Sequence, residues 1–234
     1  MIRLDKYLSQ IGIVARRQCP RYLRAVDLSI DGQILTSPEM KIPRWCTLTI
    51  DDGEQCREIV VREYVALLLH KTAHIVSSDR DEGKYLSYQT LLSDCPYSAM
   101  LHVAGRLDQD TTGLLLCTND GDLIHRITSP HRKLPKTYSV HTTHAITADH
   151  IQKWSLGVPI ENTITQPAVV QVIDDTHMHL TIHEGKFHQI KKMCIAVDNP
   201  CVALHRLSIG PRSIDGIAPG EWKYLTEDEL LMVA

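Results

Sequence analysis

The chain has 234 residues, 43% of them hydrophobic, enough for one large domain or for a large and a small one, each with its own core. Its 25 basic and 28 acidic side chains leave a formal charge of −3, so a nucleic-acid partner depends on where positive charge is placed rather than on its sum. Seven cysteines without a C-x-x-C pair, and the lack of a leader peptide or an apolar run of membrane length, argue against a secreted disulfide scaffold and a membrane partner and fit a reducing cytoplasm. The thirteen histidines contain no H-E-x-x-H or comparable ligand spacing, so no metal is expected.

Positive charge is segregated at the start. The first thirty residues carry Arg3, Lys6, Arg16, Arg17, Arg21 and Arg24 against Asp5 and Asp27. Leu4, Leu8 and Ile11 recur at helical spacing with Gly12 as a stop, and a second short helix is expected from Arg17 to Val26, with Arg17, Arg21 and Arg24 on one face. Such a face is either a solvated surface or a place where a helix meets phosphates. Leu28–Ile30, Asp31-Gly32 and Ile34–Thr36 read as a hairpin, and Thr47–Ile50 as a further strand.

With R-L-D-K-Y-L at its start and S-I-D-G at its hairpin, this segment resembles the small RNA-binding domain first known from a ribosomal small-subunit protein. The resemblance implies that the basic residues above contact RNA. Three positions depart from that pattern: Ala15 replaces a serine cap, Pro20 falls within the second helix, which is expected either to start late or to bend, and Val26 replaces a glycine. A charged joint at Arg57–Glu63 separates a domain of residues 1–59 from one of residues 60–234.

Tyr64–His70 reads as an apolar strand, Lys71–Ser78 as a loop, Tyr85–Leu92 as a short helix and Leu101–Ala104 as a strand. Next comes H-V-A-G-R-L-D-Q-D-T-T-G from His102, which places Arg106, Asp108 and Asp110 on a glycine-bounded turn before the apolar run Leu114–Leu116. Capping and solvating the turn is the ordinary role of such acids. Asp122–Thr128 should be a helix stopped by Pro130, and Arg126, Arg132, Lys133 and Lys136 form a second basic patch. Lys136–Val140 reads as a strand, Thr147 as the cap of a helix through Trp154, and Ala168–Ile173 with His179–His183 as an antiparallel pair. A helix bearing Lys191 and Lys192, a strand from Val202 to Ile209 and a terminal helix Glu227–Val233, capped by Thr226 and Glu229, complete the chain.

Three motifs in this order, G-R-L-D-Q-D-T-T-G-L-L-L, K-T-Y, and E-G-K-F-H-Q-I-K-K-M followed by L-H-R-L-S-I-G, resemble the pseudouridine synthases that modify single uridines in ribosomal RNA. A-G-R-L-D-Q-D-T-T-G, T-S-P before K-T-Y, and Q-P-A-V-V-Q-V-I are most similar to the branch acting on small-subunit (16S) RNA. The resemblance implies an α+β fold with a mixed, mainly antiparallel catalytic sheet. It also implies isomerisation of a uridine to pseudouridine without a cofactor, and a monomer acting on 16S rRNA as an assembly intermediate. It assigns Asp108 as the catalytic aspartate, Lys191 as its partner cation, Tyr138 as the ring beneath the uracil, Arg106 as a phosphate contact and Leu204 as a pocket wall. Asp110 is left to shape the turn. Relatives usually show K-P-x-G where this chain has Lys71-Thr72-Ala73-His74, so the backbone near the pocket is expected to differ. A large-subunit (23S) enzyme is the nearest alternative. A non-catalytic RNA-binding assembly factor, and a metal-dependent phosphoesterase built on Asp108, Asp110 and His102 or His125, are the others.

Overall fold

The computed structural model describes residues 1–43, 45–129, 134–226 and 229. They form two compact units, one of Met1–Val65 with Leu92–Leu101, the other of Ala66–Leu91 with the chain from His102 onward.

In the first unit, helix α1 (Leu4–Gln10) turns Leu4, Tyr7 and Leu8 fully inward, and Cys19 buries its side chain from α2 (Cys19–Tyr22). The second helix starts late, at Cys19, and ends sooner than the expected Arg17–Val26. Pro20 occupies the first turn, where the missing N–H would have had no helical partner. The expected hairpin is present as β1 (Asp27–Ile30) and β2 (Gln33–Ile34), with Asp31 at φ 50° and Gly32 at φ 76°, the left-handed pair that a two-residue hairpin turn requires. β3 (Trp45–Asp51) and β4 (Cys56–Arg62) complete a four-stranded sheet in the order β2-β1-β3-β4.

The charged stretch at Arg57–Glu63 is therefore mostly strand rather than joint. As an edge strand, β4 pairs along its whole length with β3 and can carry charge on its open side. The unit accordingly runs past residue 59 to Val65, and it takes in Leu92–Leu101, whose Tyr97 donates its hydroxyl to the Val60 carbonyl.

Asp5 shows what part of the basic stretch does locally. Its buried carboxylate receives Arg3 at 2.9 Å and Arg16 at 3.2 Å, and the Arg3 hydrogen bond, working against burial, holds its pKa at about 2. A depressed carboxylate pKa contributes stability above the ordinary carboxylate range and loses it as pH falls toward the folded value. Asp5→Asn is therefore expected to cost about 1 kcal/mol at pH 7. Urea midpoints should converge with wild type between about pH 4 and about 2, and equal midpoints at pH 7 would refute this role.

The second unit is built on a nine-stranded sheet. Its main order is β8 (Val169–Asp174), β9 (His177–Ile182), β7 (Lys136–Thr142), β10 (Cys201–Ile209), β6 (Thr112–Thr118), β5 (Ala66–Lys71) and β11 (Trp222–Tyr224). Neighbours along this path are antiparallel except β6 and β10, which gives the mixed, mainly antiparallel α+β architecture. Helix α3 (Gly121–Thr128), capped by the Asp120 side chain, packs Leu123 and Ile127 on Leu114 and Leu116. Helix α4 (Ala148–Leu156) starts at Thr147 in a capping box with His150. Its fully buried Trp154 donates its ring N–H to the Met193 carbonyl at 3.1 Å, which ties α4 to α5 (Gln189–Ile195).

Two local expectations change. Tyr85–Leu92 is not a regular helix: Leu86–Ser87 pairs in parallel with Ile75–Val76 inside the expected Lys71–Ser78 loop, and a 3₁₀ turn follows at Tyr88–Leu92. These two-residue ladders are too short to leave a periodic signal. The Thr226–Glu229 capping contacts are present, while the rest of the terminal helix, together with Pro130, lies outside the described residues.

Candidate active site

The segment from Gly105 to Thr111 enters β6 and is clamped from below. Ser77 Oγ donates to the Leu107 carbonyl at 2.9 Å and accepts its N–H at 3.0 Å, while Thr111 N–H closes a turn onto the Asp108 carbonyl. Gln109 offers its carbonyl to the His74 N–H at 2.7 Å. Where β6 meets β10, a side chain at Gly113 would strike the Arg206 backbone at 2.4 Å, and its φ of 108° also favours glycine.

Lys71 lies beneath this turn with no exposed surface. Its ammonium donates to the carbonyls of Thr72 (3.0 Å), Ile75 (2.7 Å) and Gln109 (3.5 Å). Burial lowers its pKa to about 8, against the raising pull of Asp110 and Asp108. The altered Lys71–His74 stretch thus keeps a tight path, with His74 at φ 64° in the left-handed conformation that glycine takes without strain.

Onto this turn α5 projects Lys191. Its Nζ stands 2.9 Å from Asp108 Oδ2 and 2.6 Å from Asp110 Oδ1. Burial acts to lower the Lys191 pKa, but the hydrogen bonds to Asp110 and Asp108 outweigh it and hold it above the ordinary lysine value. Burial acts to raise Asp110, yet Lys191 brings it below the usual carboxylate range. Asp110 is thus part of the charged cluster and more than a turn former. The start of α5 is itself fixed, since Gln189 donates to Glu184 Oε1 at 2.7 Å and accepts from Lys186 N–H at 2.9 Å.

Asp108 opens into a cavity of about 190 Å³, whose lining includes Arg106, Tyr138, His188, Leu204 and Arg206. Tyr138 sits on β7 opposite Arg206 and is largely buried. Of the expected site residues, Arg106, Asp108, Tyr138, Leu204 and Lys136 line one cavity, with Lys191 joined to Asp108. Arg106 is at the rim with its guanidinium 3.6 Å from Glu82, the local pair that competes with a phosphate role. Lys136 donates to the Leu134 carbonyl at 3.1 Å, and burial followed by the Arg206 charge lowers its pKa. Arg132 and Lys133 lie outside the described residues. In the other unit Arg3 and Arg16 engage Asp5, and Lys6, Arg17, Arg21 and Arg24 are exposed.

Two further pocket residues are not among those expected from the sequence. His188 places Nε2 3.3 Å from Asp108 Oδ1, and its position inside the E-G-K-F-H-Q-I-K-K-M motif is the available signal. Arg206 is 2% exposed, donates from Nε to the Leu114 carbonyl at 2.6 Å and sets its guanidinium 6.0 Å from the Tyr138 ring centroid. Its Nη2 is buried without a hydrogen-bond partner among the described residues.

Asp108, ion-paired to Lys191, thus shares one cavity with the ring of Tyr138. A model of the RNA pseudouridylate synthase family matches residues 64–196, and the chain belongs to that family of isomerases. Over its whole length it is similar to proteins named ribosomal small subunit pseudouridine synthase A. That of Vibrio cholerae is 37% identical over 99% of both chains, and that of Yersinia pestis 39% identical over 99% of this chain and 98% of the relative. The Escherichia coli K12 protein of that name is 37% identical, covering 99% of this chain and all of the relative. A crystal structure of a pseudouridylate synthase superposes with a TM-score of 0.69 at 32% identity, covering both chains fully.

Proposed function

We propose that the chain converts a uridine of 16S ribosomal RNA to pseudouridine, with Asp108 as the catalytic carboxylate and no cofactor. The observation that carries this reading is Asp108, ion-paired to Lys191 at 2.9 Å, at the wall of a cavity that also holds Tyr138. The reaction breaks the bond from ribose C1′ to N1, turns the uracil and forms a bond from C1′ to C5. The proton lost from C5 balances the one gained at N1, so no atoms or electrons are exchanged. A carboxylate serves it by attacking C1′ or by taking the 2′ proton, and Lys191 stands 2.9 Å from that group as its ion-pair partner. Tyr138 offers a ring for the detached base and a hydroxyl that can take part in proton transfer from C5. The target nucleotide must leave its stack to reach the cavity, which favours rRNA that is still accessible during ribosome assembly.

The N-terminal unit is assigned to RNA binding, with Lys6 and the exposed Arg17, Arg21 and Arg24 as its phosphate contacts. Replacing those three arginines with glutamine is expected to weaken rRNA binding about tenfold near 0.1 M salt and to flatten the salt dependence by about 0.7–0.9 per lost phosphate contact. An unchanged salt slope would leave them as a solvated face.

The decisive experiment maps pseudouridine in 16S and 23S rRNA from cells with and without the gene. Loss of one 16S position is expected. Loss at a 23S position would reassign the substrate, and no loss in either RNA would favour a non-catalytic RNA-binding factor.

A further inference from the structure

Phe187 is the single phenylalanine of the chain, and it is 72% exposed. Both of its neighbours, Lys186 and His188, line the catalytic cavity, while Phe187 itself is not among the lining residues. The conformation is defined: His188 takes φ 52°, and its imidazole stacks on the Phe187 ring with centroids 3.7 Å apart and planes 23° from parallel. The Nε2 of that same imidazole is 3.3 Å from Asp108 Oδ1. Lys192 brings its ammonium to 4.9 Å from the Phe187 centroid while held by Glu161 at 2.5 Å. An exposed aromatic ring thus lies one stacked imidazole away from the catalytic carboxylate, beside a cation.

A uridine that enters the cavity leaves its neighbours in the RNA with an unstacked face, and aromatic side chains take up such faces in a sequence-tolerant way. We propose that Phe187, backed by His188, is a stacking platform for the nucleobase adjacent to the target uridine. The substrate is then RNA unpaired at that neighbour as well as at the target. This inference rests on the pseudouridine synthase reading above.

The test is single-turnover pseudouridine formation on 16S rRNA over a range of enzyme concentrations. Phe187→Ala is expected to raise the half-saturating concentration about tenfold, the scale of one lost base–aromatic stack, with the rate at saturation little changed. Phe187→Trp should restore wild-type saturation. Once the modified uridine is mapped, an abasic nucleotide on its 5′ or its 3′ side should weaken wild type by a similar factor and leave Phe187→Ala unaffected.

Wild-type saturation by Phe187→Ala, failure of Phe187→Trp to restore it, or equal sensitivity of both enzymes to each abasic site would overturn the platform. A wild-type protein inactive on every rRNA would remove the enzymatic reading itself, and the platform with it.

Discussion

Asp108→Asn is expected to lower single-turnover pseudouridine formation by about a thousandfold or more, because the amide retains the shape of the side chain but supplies neither nucleophile nor base. The substitution removes one of the two carboxylates that receive Lys191 and leaves Asp110 at 2.6 Å as the other. The melting temperature and the RNA dissociation constant should therefore stay close to wild type, since the turn is held by Ser77, His74 and Lys71 through backbone groups. Wild-type turnover by this variant would dismiss Asp108 as the catalytic group.

Lys191→Met is expected to reduce the same rate about a hundredfold, with Lys191→Arg recovering part of it, because two neighbouring carboxylates lose their shared cation. In wild type the raised Lys191 pKa keeps its contribution complete below about 10.4, and it is lost only as pH rises through the folded value. Asp110, with its lowered pKa, contributes above about 4 and loses that contribution as pH falls through its folded value. The Lys191–Asp110 pair should consequently contribute no titration to wild-type activity between about pH 5 and 9, and a step in that range is expected only from Lys71, whose pKa is about 8. In Lys191→Met the cation that lowers Asp110 is gone while burial still raises it, so Asp110 should titrate at higher pH. A variant with the wild-type rate would reduce Lys191 to a surface lysine.

Signals confined to a few neighbouring residues are legible in the sequence. Asp31-Gly32 demands a two-residue hairpin because both positions need positive φ, and Asp120 and Thr147 mark helix starts because their side chains can take the orphan amides. The motif resemblance supplies Asp108, Tyr138, Leu204 and Lys191, which the structure gathers around one cavity. Pro20 is ambiguous in the sequence because helix interior and first turn look alike until the start of the helix is known. β4 resembles a charged joint because an edge strand need not alternate cleanly in polarity when one side is open to water.

The amino-acid order by itself determined the hairpin, the caps, the apolar strands and the family motifs, since each depends on backbone preferences or on residue types a few positions apart. Only the tertiary structure decided which charges meet. Lys71 reaches Gln109 across 38 positions, Lys191 reaches Asp110 across 81 and Arg206 reaches Leu114 across 92. Whether each cation is buried, paired or exposed depends on how the strands align and on the carbonyls and carboxylates they bring within about 3 Å, and no local pattern in the chain encodes that juxtaposition.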